Sequence, residues 1–546
     1  MPERFRILHL TATDTGGPGH AALGIHRGLF ALGQDSSVLL KTKRRKTSNV
    51  YELDVDLPAG LKETACAFEI FQHWYLDHNR TAESNSNFTL SESGLAIEDH
   101  PLVRDAEMLH LHSVTRFLSP AAIESIARMG KPVVWTLHDH RPFTGGCHFP
   151  GDCSKYATTC SGCPQLGWDP YFIPEAQLGD ALELIPARRI TYVAPTEFLA
   201  NKARESALLQ NSRVEVIPYG IDPRVFQVKW KPQAKSHLGL DPGALHFLFV
   251  ANELGEARKG FDRLAKAIQI CLTRPQFKER VERNEIALIS LGHPHPSLSS
   301  LGIPYVSLGH LDSPEEMSQL YGAADLFLLP SLQENLPNTL LEAMSCGTPV
   351  VAFAAGGVPE VVAQDETGKL VPVGAEADFA MAIEELVSDE NLRMRMAENC
   401  RQTILDRFTE QMQAERYLTL YRELMRGLPR TATKHDAFGF GPGNDCKATK
   451  LAPVGARLKQ ICTDSLPRPL LQCMIAMEKE LAGSGEELRA LKNFLELQQH
   501  TIEELQSELA DQKGALREHE TTIFRQNQIL GSSRVKMLRA LKLISK

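Results

Sequence analysis

Short apolar runs alternate with longer amphipathic stretches along most of this chain. Phe5–Leu10, Ser37–Leu40, Met108–His112, Val133–Leu137, Ile190–Pro195 and Val214–Pro218 read as strands, with Ala21–Ala31 and Pro120–Met129 among the helices between them. A break follows at Pro218-Tyr-Gly-Ile-Asp-Pro223, and the alternation restarts. His246–Ala251, Ile286–Leu291, Tyr305–Leu308, Leu326–Pro330, Val350–Ala354 and Leu370–Val373 are the strands of the second half. Strands alternating with helices predict parallel, doubly wound sheets. The expected fold is therefore α/β, with two Rossmann-like domains, 1–220 and 221–426, facing a cleft. Ligands of open α/β sheets bind beyond the carboxyl ends of the strands, so the cleft is the expected site. The stretch 42–100 is polar and irregular and reads as a long insertion over one face.

The pattern changes after residue 426. Residues 427–480 begin with a run carrying Gly439, Gly441, Pro442, Gly443 and Pro453, the composition of a linker. Over 481–531 a seven-residue spacing places Leu488, Leu495, Ile502, Leu509, Leu516, Ile523 and Leu530 on one stripe, which predicts a coiled coil and self-association. Its d positions are mixed: Leu491, Gln498, Leu505, Gln512, His519 and Gln526. A single amphipathic helix lying on the globular body is the other reading. The tail 532–546 combines Arg534, Lys536, Arg539, Lys542 and Lys546 with apolar residues, which fits an amphipathic helix resting on an anionic membrane surface or a solvated terminus.

Composition narrows the picture only slightly. The 546 residues are 43% hydrophobic, enough for sizeable cores, and the formal charge of −8 gives no reason to expect nucleic-acid binding. Met1-Pro2 leads straight into a strand-like run, without the basic start and apolar stretch of a signal peptide, and no 18-residue apolar run occurs. Eleven cysteines in a chain of this length do not form a small secreted disulfide framework. The expected compartment is the cytoplasm, with peripheral contact at the inner membrane through the tail.

The candidate chemistry concentrates in Leu328-Leu-Pro-Ser-Leu-Gln-Glu-Asn-Leu-Pro-Asn-Thr-Leu-Leu-Glu342. An apolar strand ends at Pro330, a polar loop carries Glu334, and a helix begins near Pro337 with Glu342 along it. Free backbone N–H groups at that helix start suit a diphosphate, and the carboxylates suit sugar or ribose hydroxyls.

Glu334 and Glu342 form the E-x7-E pattern and, with Pro330-Ser331, Cys346-Gly-Thr-Pro-Val350 and Gly356-Gly-Val-Pro-Glu360, resemble the retaining glycosyltransferases of family 4, which have the GT-B fold. The resemblance runs from about residue 5 to 425 and includes Ile217-Pro-Tyr-Gly-Ile-Asp222. It implies that Glu342 binds ribose, that Glu334 lies against the transferred sugar, and that the amides around Asn338 and Thr339 contact phosphate. Arg258-Lys259-Gly260 resembles the family's segment whose lysine binds the diphosphate; the usual arginine six residues earlier is Glu253 here, and Arg258 is the candidate replacement. Thr15-Gly16-Gly17-Pro18-Gly19 resembles the family's glycine loop, where Gly16 and Gly17 let backbone approach the donor phosphates. His138, in Trp135-Thr-Leu-His-Asp139, resembles the histidine lying near donor sugar and acceptor, and His112 is a second acceptor-side candidate.

The stretch His138–His148, followed by Cys153, Cys160 and Cys163, resembles more narrowly the bacterial enzymes of exopolysaccharide and colanic-acid assembly. Cys147, Cys153, Cys160 and Cys163 are compatible with a structural zinc, or with free or redox-active thiols. No catalytic cofactor is expected. The chain thus reads as a retaining transferase moving a sugar from a UDP-, GDP- or ADP-sugar to a glycan or lipid-linked oligosaccharide in surface polysaccharide synthesis. The alternative is a non-catalytic GT-B scaffold assembling partners through its coiled coil.

Overall fold

The computed structural model describes residues 4–426 apart from 46, 54–75, 77–78, 85–86, 91–96, 168, 170–171, 252, 293–295 and 312. The linker, coiled coil and basic tail expected over 427–546 lie outside the described residues. Two parallel sheets are present. The first comprises β1 (Arg6–Thr13), β2 (Asp35–Thr42), β3 (Val50–Glu52), β4 (Met108–Leu111), β5 (Val133–Thr136), β6 (Ile190–Ala194) and β7 (Arg213–Val216). Its strand order is β3-β2-β1-β4-β5-β6-β7. The second comprises β8 (Leu245–Val250), β9 (Ile286–Leu291), β10 (Tyr305–Ser307), β11 (Leu326–Leu329), β12 (Val350–Phe353) and β13 (Gly368–Val371), in the order β10-β9-β8-β11-β12-β13. In each sheet the order reverses once, beside β1 and β4 in the first and beside β8 and β11 in the second. Those reversals open the crevices in which such sheets bind ligands.

The strands are apolar runs because helices cover both faces. Period-2 alternation divides the first sheet. Leu8, Leu10, Leu109, Leu111, Val133 and Trp135 enter one core, and Ile7, Met108, Val134 and Val193 the other. β3 corrects the reading of 42–100 as wholly irregular, since Val38, Leu39 and Leu40 pair with Val50, Tyr51 and Glu52. A three-residue edge strand with only Val50 buried leaves no periodicity to detect.

A second correction concerns the domain boundary. The last described helix, Glu410–Arg426, belongs by sequence order to the 221–426 domain, yet it packs on the first sheet. Ala414, Tyr417, Leu418, Leu420 and Tyr421 fill the core that holds Ile7, Ile25, Leu29 and Met108. Its neighbour is the helix Gly16–Ala31, and a Cβ on Gly28 would come within 2.7 Å of the Ala414 Cβ, so glycine permits the close approach. Arg213 clasps Glu423 with both terminal nitrogens, at 2.8 and 3.0 Å. The chain crosses between domains twice, and the crossings pair: Ile221 N–H donates to the Phe408 carbonyl at 2.8 Å and Glu410 N–H to the Ile221 carbonyl at 3.0 Å. Tyr417 is fully buried and its hydroxyl meets Thr136 Oγ1 at 2.7 Å. Tyr417→Ala should therefore destabilise the protein by about 3–5 kcal/mol, measured by denaturant unfolding, with a cavity left behind and Thr136 Oγ1 reduced to its contact with His110 Nε2.

Candidate functional site

The loop after β11 places Glu334 in a buried, cationic setting. Lys259 Nζ lies 2.7 Å from Glu334 Oε1 and Arg258 Nη1 lies 3.2 Å from the same oxygen. Burial pushes this carboxyl up, but Lys259, then Arg258 and the hydrogen bonds from Lys259 and Ser331, outweigh it and hold it below the usual glutamate value. Glu334 is thus an anion at neutral pH. Arg258 is buried as well. It donates to Glu256 and to the Gln333 carbonyl, and its guanidinium stands 4.1 Å from the centre of the Phe149 ring of the first domain. Glu253 is exposed on the preceding turn.

Three glycines let backbone segments meet behind this pair. Gly260, at φ +73°, would place a Cβ 1.9 Å from the Pro330 carbonyl oxygen, and Gly356, at φ +57°, would place one 1.6 Å from that of Glu334. Gly357 abuts Asn335 and Thr196 in the same way. Gly356→Ala should displace the Glu334 loop and cost about 2–4 kcal/mol, read as a lower Tm together with weaker donor binding.

The helix expected near Pro337 runs from Asn338 to Ser345, with Pro337 as its N-cap rather than inside the first turn. No side chain caps it, so the amides around Asn338 and Thr339 stay open to a ligand. The helix Gly16–Ala31 likewise begins without a side-chain cap. Gly16 has φ +72°, and a Cβ added at Gly16 or at Gly17 would meet no atom within 4 Å, so that backbone is open on one side. Asn338 Nδ2 donates to the Gly17 carbonyl at 3.2 Å, which brings the two helix starts together. One turn along, Glu342 is half-buried and accepts from the Tyr321 hydroxyl at 2.8 Å. Burial raises its pKa to about 7, with the Tyr321 hydrogen bond opposing.

His138 follows β5 at the cleft. Its carbonyl accepts from Asn335 Nδ2 at 2.9 Å, tying it to the Glu334 loop, and its Nδ1 meets the Tyr219 hydroxyl at 2.6 Å. Burial draws its pKa down to about 4, so the ring is neutral. Beside it His148 Nδ1 bonds Asp139 Oδ2 at 2.7 Å. His112 touches His138, as does Tyr219. Tyr219, Tyr321 and the strand histidines His9 and His110 are additions to the set read from the sequence. The alternation Leu109-His-Leu-His112 was the available signal for His110.

Cys147, Cys153, Cys160 and Cys163 are free thiols, Cys147 and Cys160 buried and Cys153 and Cys163 half-buried. Burial leads the rise in pKa at Cys147 and pushes Cys160 to about 11, with Cys153 and Cys163 adding to both. Four sulfurs around one zinc would sit about 3.8 Å apart. Among the described residues, the group of three or more ligand atoms within 4.8 Å of one another is His9, His110 and His112, with no three of these cysteines. Cys160 Sγ instead accepts the Gly145 N–H at 3.3 Å.

Parts of the chain are similar to known proteins. Residues 301–403 match the family model described as glycosyl transferases group 1. The matched span carries Glu334, Glu342 and the Gly356–Gly357 turn. Over 198 residues the chain is 32% identical to D-inositol 3-phosphate glycosyltransferase of Stackebrandtia nassauensis, covering 34% of this chain and 43% of that one. Across the first three curated relatives the match spans 30 to 52% of their length. Sucrose-phosphate synthase from Thermosynechococcus elongatus superposes with a TM-score of 0.53 at 16% identity, covering 78% of this chain and all of that one. Anabaena HepE in complex with UDP-glucose gives 0.51 at 16%, covering 77% of this chain and all of that one. These likenesses show the fold: two parallel-sheet α/β domains of the GT-B kind. Among the described residues no helix is long and apolar enough to cross a membrane.

Proposed function

We propose that the protein is a retaining glycosyltransferase that takes its sugar from a nucleotide-sugar donor. The observation that carries this reading is the meeting of two uncapped helix starts, at Gly16–Gly17 and at Asn338, with Lys259 and Glu334 beside them. Open amides, the positive ends of two helix dipoles and an ammonium group suit a diphosphate. Glu342, farther along the helix, suits ribose hydroxyls. In the reaction the bond from the sugar's anomeric carbon to the diphosphate oxygen breaks. The acceptor hydroxyl bonds to the same face of that carbon, and its proton passes to a departing phosphate oxygen. Lys259 and the helix amides stabilise the negative charge that grows there. Asn338, Thr339, Gly16 and Gly17 hold the phosphates, Arg258 fixes Glu334, and His138 faces the reacting sugar. The acceptor is a glycan or lipid-linked oligosaccharide of a bacterial surface polysaccharide, as the run His138–His148 suggests by its likeness to exopolysaccharide enzymes.

A panel of UDP-, GDP- and ADP-sugars read by thermal shift tests the reading. At least one should raise Tm by several degrees, and at pH 8 the gain should shrink in Glu342→Gln. A panel in which no nucleotide sugar moves Tm would sink it.

A further inference from the structure

The covered face of the first sheet holds a polar file that neither the donor site nor the core explains. His9, His110 and His112 are at most 1% exposed, on the face that otherwise presents Ile7, Met108 and Val134. An imidazole buried there without partners costs about 1–3 kcal/mol, so the destinations of its hydrogen bonds are informative. His110 is saturated: its Nδ1 meets the Tyr421 hydroxyl at 2.6 Å and its Nε2 meets Thr136 Oγ1 at 2.7 Å.

His9 and His112 are used differently. His9 Nδ1 lies 2.9 Å from His112 Nε2, and His112 Nδ1 lies 3.4 Å from His138 Nε2. His138 Nδ1 then reaches the Tyr219 hydroxyl at 2.6 Å, on the segment that crosses between domains. Three rings therefore run in line from the sheet interior to the cleft. A neutral imidazole has one donor and one acceptor, and each nitrogen–nitrogen contact needs one of each. Only two neutral arrangements satisfy the file: every proton on Nδ1, or every proton on Nε2. His9 Nε2 has no hydrogen-bond partner. With the protons on Nε2 it would be a buried N–H without an acceptor, and orphaned buried donors are the rarer defect. With the protons on Nδ1 it is a bare lone pair, and His138 donates to Tyr219.

We propose that His9 and His112 are positioning residues for His138, fixing the proton on its Nδ1 and holding its ring in the cleft. A shared metal ion is the competing use of His9, His110 and His112, whose ligand atoms lie within 4.8 Å of one another. Of their six ring nitrogens, however, all but His9 Nε2 already have a partner. The catalytic meaning of the file rests on the glycosyl-transfer reading; the experiment below reads the imidazole itself, so the two can fail separately.

The full chain, labelled with ¹⁵N at histidine, is compared with His138→Gln to assign His138 in long-range proton–nitrogen correlation spectra at neutral pH. The wild-type ring should show the Nδ1–H tautomer, which is the minor form of free histidine. In His112→Phe, which fills the volume and needs no partner, His138 should move toward the Nε2–H form while Tm stays within a few degrees. His112→Asn, whose amide nitrogen stands near the lost Nδ1, should restore the wild-type pattern. His9→Phe should shift His138 in the same direction by less. An Nε2–H tautomer at wild-type His138 overturns the proposal without any variant. So does a His138 pattern unchanged in His112→Phe, or one equivalent of a divalent metal that is lost in His9→Phe.

Discussion

Lys259→Ala should lower the turnover of the best donor by about 10²–10³-fold while changing its Kd by no more than about tenfold. The ammonium lies 2.7 Å from Glu334, where the bond to the leaving diphosphate would break, so its attraction grows as negative charge accumulates there. A fixed donor aimed at developing charge in a water-poor cleft is worth most in the transition state. The fold should tolerate the loss. Glu334 keeps Arg258 at 3.2 Å, and Arg258 is itself held by Glu256, the Gln333 carbonyl and the Phe149 ring. Lys259→Arg should recover part of the rate, because charge is kept while its placement shifts. Single-turnover consumption of the donor that gives the largest thermal shift is the measurement. A rate within threefold of wild type would place the charge stabilisation elsewhere.

Glu342→Gln carries the second large effect, with a defined pH signature. Burial holds this carboxyl at about 7, and a ribose hydroxyl donates most strongly to the ionised form. Donor affinity should therefore rise as pH increases through about 7 and level off above it. A nucleotide sugar is the right probe, since its diphosphate has no group titrating in that range. In Glu342→Gln the rise should disappear, and at pH 8 the Kd should weaken about 10–100-fold, the loss of a hydrogen bond to a charged group. Stability should move the other way. Because the folded-state pKa is raised, the unfolded chain releases this proton first, near 4.5, and stability falls as pH climbs from there to about 7. Glutamine has no such loss, so the variant should melt higher than wild type at pH 8. A pH-independent affinity in the wild type would remove Glu342 from the ribose site.

Much of this was legible because buried parallel strands leave continuous apolar runs in the sequence. Twelve of the strands stand where those runs lie, and β3 escaped because three residues at an edge carry no pattern. The Glu334–Lys259 contact could be anticipated only through resemblance, as 75 residues separate the two. The Phe149 ring over Arg258 and the Asn338–Gly17 bond are products of tertiary placement that local patterning does not encode. The histidine file escaped for a related reason. His9 sits in an apolar strand where a single polar residue reads as a blemish, and only the parallel register with His110 reveals its neighbours. Sequence order alone assigned Glu410–Arg426 to the 221–426 domain, whereas its buried side chains enter the core of the first sheet.

That last helix has a consequence for how the molecule is made. Ile7, Ile25, Leu29 and Met108 are synthesised early, but the side chains that cover them, Ala414, Tyr417 and Tyr421, come near the end of the described chain. During translation the first sheet must wait, one greasy face uncovered, while roughly 200 further residues leave the ribosome. The later-made domain is therefore free to fold to completion before the earlier one, and a nascent chain halted near residue 221 would be a natural client for a chaperone.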